Sequence, residues 1–180
     1  MKKIIFFILV LFVISTTNVY SQIPDSLFVD TTFILKVDCS ETYEQMMSDG
    51  NYNGKNDYVN KKNFPLTTEC AGKTINVIAK IFNFNENISS ADIIEIMNNN
   101  CFRPANLLEL LALGETNPEI QISIVALGSI CYIPYKNDVT EYVCYVPYLN
   151  LDPSDMGRMI GIIDFEGNWN NNFHFLGIHK

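Results

Sequence analysis

The chain has 180 residues, 48% of them apolar, and its 20 acidic side chains outweigh 12 basic ones to give a formal charge of −8. That size suits one ordinary domain with its own core. So acidic a chain repels phosphate backbones and anionic headgroups, which excludes nucleic acid and membrane surfaces as first expectations for partners.

The first segment carries Lys2 and Lys3, an unbroken apolar run over 4–14, and Val19-Tyr20-Ser21. A basic start, a short apolar core and small or apolar residues before the cut describe a secretory signal peptide over 1–21. The run is 11 residues long. A bilayer-spanning helix needs about 20. Cleavage after Ser21 would leave 22–180 as a single domain with Gln22 at its N-terminus. Losing two lysines and no acid takes its charge to −10. The expectation is a secreted or periplasmic protein with no stable membrane insertion after cleavage; a retained N-terminal anchor is the alternative. No cofactor is expected.

Residues 23–32 read as an extended lead-in and 33–38 (FILKVD) as a strand. A short helix is predicted over 40–48 with Gly50 as its stop. The polar stretch 51–63 reads as loop. The β-branched and aromatic run 73–84 predicts a central strand. Ser89, three residues before Asp92, predicts a capped helix over 90–98. Asn106 with Glu109 predicts a second, closed by Gly114, and its five leucines between 107 and 113 leave almost no polar face. Pro118 can start one further turn. Strands are then predicted over 122–127, 130–135, 141–148, 158–165 and 173–179, with connections so short that neighbours must pair antiparallel. The fold class expected is α+β, with two helices packed on a mainly antiparallel sheet.

That order resembles the C-type lectin-like fold, in which two helices flank a sheet closed by its first and last strands. Phe102-Arg103-Pro104-Ala105 followed by Glu109-Leu110-Leu111 is similar to the G-[WY]-R-(L)-P-T…E-L segment of bacterial members. Ile124 to Ser129 (IVALGS) stands where their central strand would be. A closer resemblance is to a family of small uncharacterised bacterial hypothetical proteins. It is carried by Arg103-Pro104-Ala105, Glu109 to Gly114 (ELLALG), IVALGS, Val146-Pro147-Tyr148-Leu149, Arg158, Trp169 and the ending Phe173 to Lys180. It spans about 33 to 180 and implies a shared fold and no established activity. Cys101 departs from it, standing where the family tends to have Gly or another residue before an aromatic. The family's two C-terminal arginines are replaced by His174 and His179, which weakens any anion site they would build.

Five cysteines, Cys39, Cys70, Cys101, Cys131 and Cys144, lie beyond the leader. They can be buried thiols or disulfides; Cys131 with Cys144, on neighbouring strands, is the first pairing expected. With no C-x-x-C and only two histidines, no metal site is expected. His174 and His179, five apart in a strand, face opposite sides. Asp152, Asp155, Asp164 and Glu166 form the one acidic grouping near a loop, and the Trp169-Asn170-Asn171 strand lacks the partner loop that a lectin calcium site uses. No phosphate loop, nucleophile elbow or H-E-x-x-H helix occurs, so no catalytic residue is assigned. Trp169 can anchor the last turn against Phe173 and Phe175, or bind. The binding residues expected are Tyr132, Tyr135, Tyr142, Tyr145 and Trp169, because tyrosines on strands and loops suit glycan stacking or protein contacts. The core is expected to take about half of the tyrosines between 132 and 148. The function expected is non-catalytic binding of a protein or glycan; the alternative is an extracytoplasmic hydrolase with a carboxylate pair.

Overall fold

The computed structural model describes residues 28–65, 72–135, 138–151 and 157–180. The leader expected over 1–21, and Asp152 and Asp155, lie outside them. The described residues form eleven strands and three helices: β1 (Phe28–Asp38), α1 (Tyr43–Asp49), β2 (Tyr52–Lys55), β3 (Thr74–Asn83), β4 (Ile88–Ser89), α2 (Ser90–Asn99), β5 (Phe102–Pro104), α3 (Leu107–Thr116), β6 (Ser123–Val125), β7 (Cys131–Tyr135), β8 (Asp138–Leu151), β9 (Arg158–Asp164), β10 (Asn168–Trp169) and β11 (Phe173–His179). The architecture is α+β. No described helix is long and apolar enough to cross a membrane.

The main sheet runs β1-β3-β11-β6-β8-β9-β2, with β5 also on β11 and β7 also on β8. It is mainly antiparallel, as expected. Two pairs run parallel within it: β11 with β6 and β2 with β9. Both join strands far apart in sequence, so no short connection constrains their direction. The first and last strands are not neighbours among the described residues. β3 lies between them, antiparallel to each.

Alternation along the strands gives the sheet two dry faces. On β3, Ala79 and Ile81 join Leu35, Leu176, Ile178 and the leucines of α3 in one cluster, with α1. Phe82 and Phe84 turn the other way and meet Phe102, Phe175, Trp169 and Met97 of α2. The aromatic side interlocks edge to face: Phe82–Phe102 centroids lie 5.3 Å apart and Trp169–Phe175 5.4 Å. α3 is as enclosed as its leucines predicted, with Leu107, Leu110, Leu111 and Leu113 at most 1% exposed.

The helix starts follow local chemistry. Ser89 accepts from the Asp92 N–H and caps α2. Asn106 and Glu109 form a complete capping box on α3. Gly114 does not close α3, which continues to Thr116 with Asn117 as its cap. Its place is fixed by packing: a Cβ there would lie 1.9 Å from the Tyr52 hydroxyl and 2.6 Å from Arg158 Nη2. The stretch expected as loop over 51–63 contains β2, whose Tyr52 supplies that contact.

Cys101, just past α2, has φ +64°, in the left-handed region. A glycine at that position resolves the steric conflict between Cβ and the following carbonyl, which costs about 1 kcal/mol. Cys101→Gly is expected to stabilise the protein by about 0.5–1 kcal/mol. Chemical denaturation checks it, with an unchanged slope and a raised midpoint.

Candidate functional site

The β7–β8 hairpin sorts the expected tyrosines by parity. Directly opposed residues of an antiparallel pair share a face. Tyr132 opposes Cys144 and Pro134 opposes Tyr142, so these four side chains share one side. Tyr132 is 66% exposed and Tyr142 56%. Tyr135, also exposed, pairs with Asp138 beyond a register shift at the hairpin end. Tyr145 opposes Cys131 on the other side and packs half-buried against the α3 cluster. Tyr148 packs half-buried against the aromatic cluster. The hairpin thus gathers Tyr132 and Tyr142 on one open face and turns Tyr145 inward.

Trp169 leaves the set of binding residues. It is 3% exposed, donates from Nε1 to the buried Ser90 hydroxyl at 2.7 Å, and stacks edgewise on Phe173 and Phe175. The anchoring role expected for it is the one observed. Its indole N–H, unable to reach water, needs that hydroxyl.

The same parity overturns the expected Cys131–Cys144 disulfide. Both are free thiols, and their opposed partners place them on opposite faces of the hairpin. Burial pushes the Cys131 thiol up to about 11 and raises that of Cys144 as well, so neither is primed as a nucleophile. Cys39 is disulfide-bonded. Cys101 is free and exposed.

The remaining charged candidates are held in structural roles or lie open. Arg103 forms a bidentate pair with the buried Glu109, Nη2 to Oε1 at 2.6 Å and Nη1 to Oε2 at 2.9 Å. Arg158, 7% exposed, donates from Nη1 to the Gly50 carbonyl at 2.7 Å and lies 4.8 Å from the Tyr52 ring centroid. Its remaining nitrogens have no partner among the described residues. It sits beneath Gly114 in the last turn of α3, where a cation meets the negative end of the helix dipole. The sequence held no local sign of this link, since Gly50 and Arg158 are 108 residues apart. His174 is half-buried, and desolvation holds its imidazole below the ordinary range, partly offset by backbone hydrogen bonds at Ser123 and Asn172. His179 is exposed, edge-on to Phe102. Asp164 and Glu166 are exposed, with the Glu166 N–H donating to Asp164 Oδ1 at 2.8 Å. No described group of three or more His, Cys, Asp or Glu side chains is arranged to hold a metal.

A cavity of about 180 Å³ lies at the start of α3 between Tyr43, Leu108 and Ser129. Another of about 330 Å³ opens over Met47, Tyr52 and Gly54. Pockets for drug-sized ligands are about 300–1,000 Å³ and bury most of the ligand. The hairpin face is instead open and aromatic. No family model matches the chain, and no curated protein or solved structure matches it either.

Proposed function

We propose that the chain is an exported, non-catalytic binding module for a protein or a glycan, working through the open face of the β7–β8 hairpin. The observation that supports this most is the placement of Tyr132 and Tyr142 on one face, 66% and 56% exposed, with Pro134, on the strand of Tyr132, directly opposite Tyr142. Large aromatic side chains left in water on a rigid sheet have an unfavourable hydration cost that a partner relieves. The ladder from Cys131–Tyr145 to Pro134–Tyr142 fixes the backbone beneath both rings, which limits the entropy lost on binding. The composition of residues 1–21 supports export, to the periplasm or outside the cell.

The C-type lectin-like reading of the fold belongs to the same proposal. Helices on both faces of a mainly antiparallel sheet support it. The insertion of β3 between β1 and β11 is a departure from it. Fold likeness alone would not specify a ligand.

The test is a cross-linked pull-down from the native cell envelope with the full chain carrying a C-terminal tag. A saturable protein or glycan partner is expected, and it is expected to be lost from the Tyr132→Ala/Tyr142→Ala double variant. Both side chains are exposed, so the variant should keep its fold within about 0.5 kcal/mol per site. A partner retained by the double variant would contradict the assignment.

A further inference from the structure

Arg158 is a buried cation with one whole edge of its guanidinium unused. It shares strand parity with Ile160, so its side chain lies on the face of the main sheet that carries α1 and α3. It is 7% exposed, and Nη1 donates to the Gly50 carbonyl. Nε and Nη2 are buried and have no partner among the described residues. Those two atoms form the edge of the guanidinium plane that takes a carboxylate side-on, through two parallel hydrogen bonds. The Tyr52 hydroxyl is a third buried group without a partner among the described residues. It converges with Nη2 on one spot: a Cβ at Gly114 would lie 1.9 Å from Tyr52 Oη and 2.6 Å from Arg158 Nη2. The ion pairs of the described residues join Lys55 to Glu44 and Arg103 to Glu109, so no described carboxylate neutralises Arg158. Buried donors without acceptors are costly, a charged one most of all, and native structures seldom keep them without an ion or a water in contact.

We propose that this fork binds the carboxylate of a small organic acid. One carboxylate oxygen accepts from Nε, and the other accepts from Nη2 and the Tyr52 hydroxyl. A water would satisfy the donors and leave the buried charge; a carboxylate answers both. Tyr52 is also the way in. Its ring centroid stands 4.8 Å from the guanidinium carbon, and the same half-buried side chain lines the cavity of about 330 Å³ over Met47 and Gly54. Swinging that ring aside joins the guanidinium to the cavity. Lys55, on the cavity wall, is held to Glu44 at 3.6 Å by an exposed pair of the weak kind, which leaves it able to meet an incoming anion. A chain at −8 opposes a multiply charged anion more than a single carboxylate, so a monoacid suits the site better than a phosphate. The site is separate from the hairpin face and stands whether or not that face binds.

The chain has two arginines, Arg103 and Arg158, so the arginine Nε–H region of its nitrogen–proton NMR spectrum holds two resonances. The isotope-labelled full chain would be titrated with sodium acetate replacing sodium chloride at constant ionic strength, which keeps screening fixed. The Arg158 resonance is expected to move saturably, in the millimolar range, while that of Arg103, already paired with Glu109, stays in place. Arg103→Lys assigns the two by deleting one. Tyr52→Phe should weaken acetate several-fold. Because the hydroxyl it removes has no described partner, its melting temperature in chloride should match or exceed the parent's, which verifies the fold. A still Arg158 resonance would overturn the proposal and leave water as the partner of the fork. Equal movement of both resonances would reduce the effect to the ionic medium and overturn it as well. So would undiminished acetate affinity in Tyr52→Phe, since the hydroxyl is part of the site.

Discussion

Gly128→Ala is expected to destabilise the protein by about 3 kcal/mol or more, at the upper end of what overpacking costs. Gly128 lies between β6 and β7, where its N–H donates to the Ala105 carbonyl at 2.8 Å. A Cβ there would sit 2.6 Å from the Pro104 carbonyl oxygen, 2.7 Å from that of Ala105 and 3.0 Å from the Ala105 carbonyl carbon. All three are backbone atoms, so no rotamer change relieves the clash. The backbone they belong to is itself fixed, because the Ala105 N–H donates to Leu176 of the central strand β11 at 2.9 Å. The next residue is committed as well: Ser129 Oγ accepts from the Leu107 N–H at the start of α3, at 2.9 Å. Gly54→Ala is the natural control. Its Cβ would meet only the flexible Met159 side chain, at 3.4 Å. Denaturant titration should show the control within about 1 kcal/mol of the parent. A comparably small loss for Gly128→Ala would contradict the close approach.

Glu109→Ala is expected to cost about 3 kcal/mol, because one carboxylate serves both a buried ion pair and a helix cap. Glu109 is 1% exposed. Its Oε2 accepts from Arg103 Nη1 and, at 2.8 Å, from the Asn106 N–H, while Oε1 accepts from Arg103 Nη2. Alanine would strand the Asn106 N–H and remove the carboxylate from the Arg103 guanidinium, which keeps the Pro104 carbonyl as an acceptor. The Arg103 side chain is 42% exposed, so water recovers part of the loss, and the upper range for severed buried pairs does not apply. Glu109→Gln keeps the shape and an acceptor for Asn106 and is expected to cost about half as much. Equal losses for the two variants would show that the charge carries the whole effect and that the cap acceptor retained by Gln contributes nothing.

Local chemistry was legible in the sequence, and long-range register was not. Ser89 and Asn106 announced the starts of α2 and α3, because capping is settled within four residues. β11 was readable from 173 to 179, because a β-branched and aromatic run needs no partner to be recognised. β2 was not readable: Tyr52-Asn53-Gly54-Lys55 looks polar, and it is held by parallel pairing to β9, far along the chain. Gly114 imitated a helix stop, when its lack of a Cβ actually admits Tyr52 and Arg158. At the candidate site, the exposure of Tyr132 and Tyr142 followed expectation. The inward turn of Tyr145 and the separation of Cys131 from Cys144 depended on hairpin register, where a shift of one residue exchanges the two faces. Trp169 could have stood on either side of the sheet surface. The Ser90 hydroxyl and Phe175, both distant in sequence, decide it.

The central claim is that the open hairpin face is where this protein meets its partner, and a second exposed apolar spot supplies the comparison. Ile34 on β1 and Ile78 on β3 oppose each other and are 75% and 47% exposed. A photoreactive phenylalanine analogue installed at position 142, and separately at position 34, would be irradiated in native cells. The account predicts a discrete higher-mass adduct from position 142 and none from position 34. Adducts from position 34 alone would contradict it and move the binding surface to the β1 edge of the sheet.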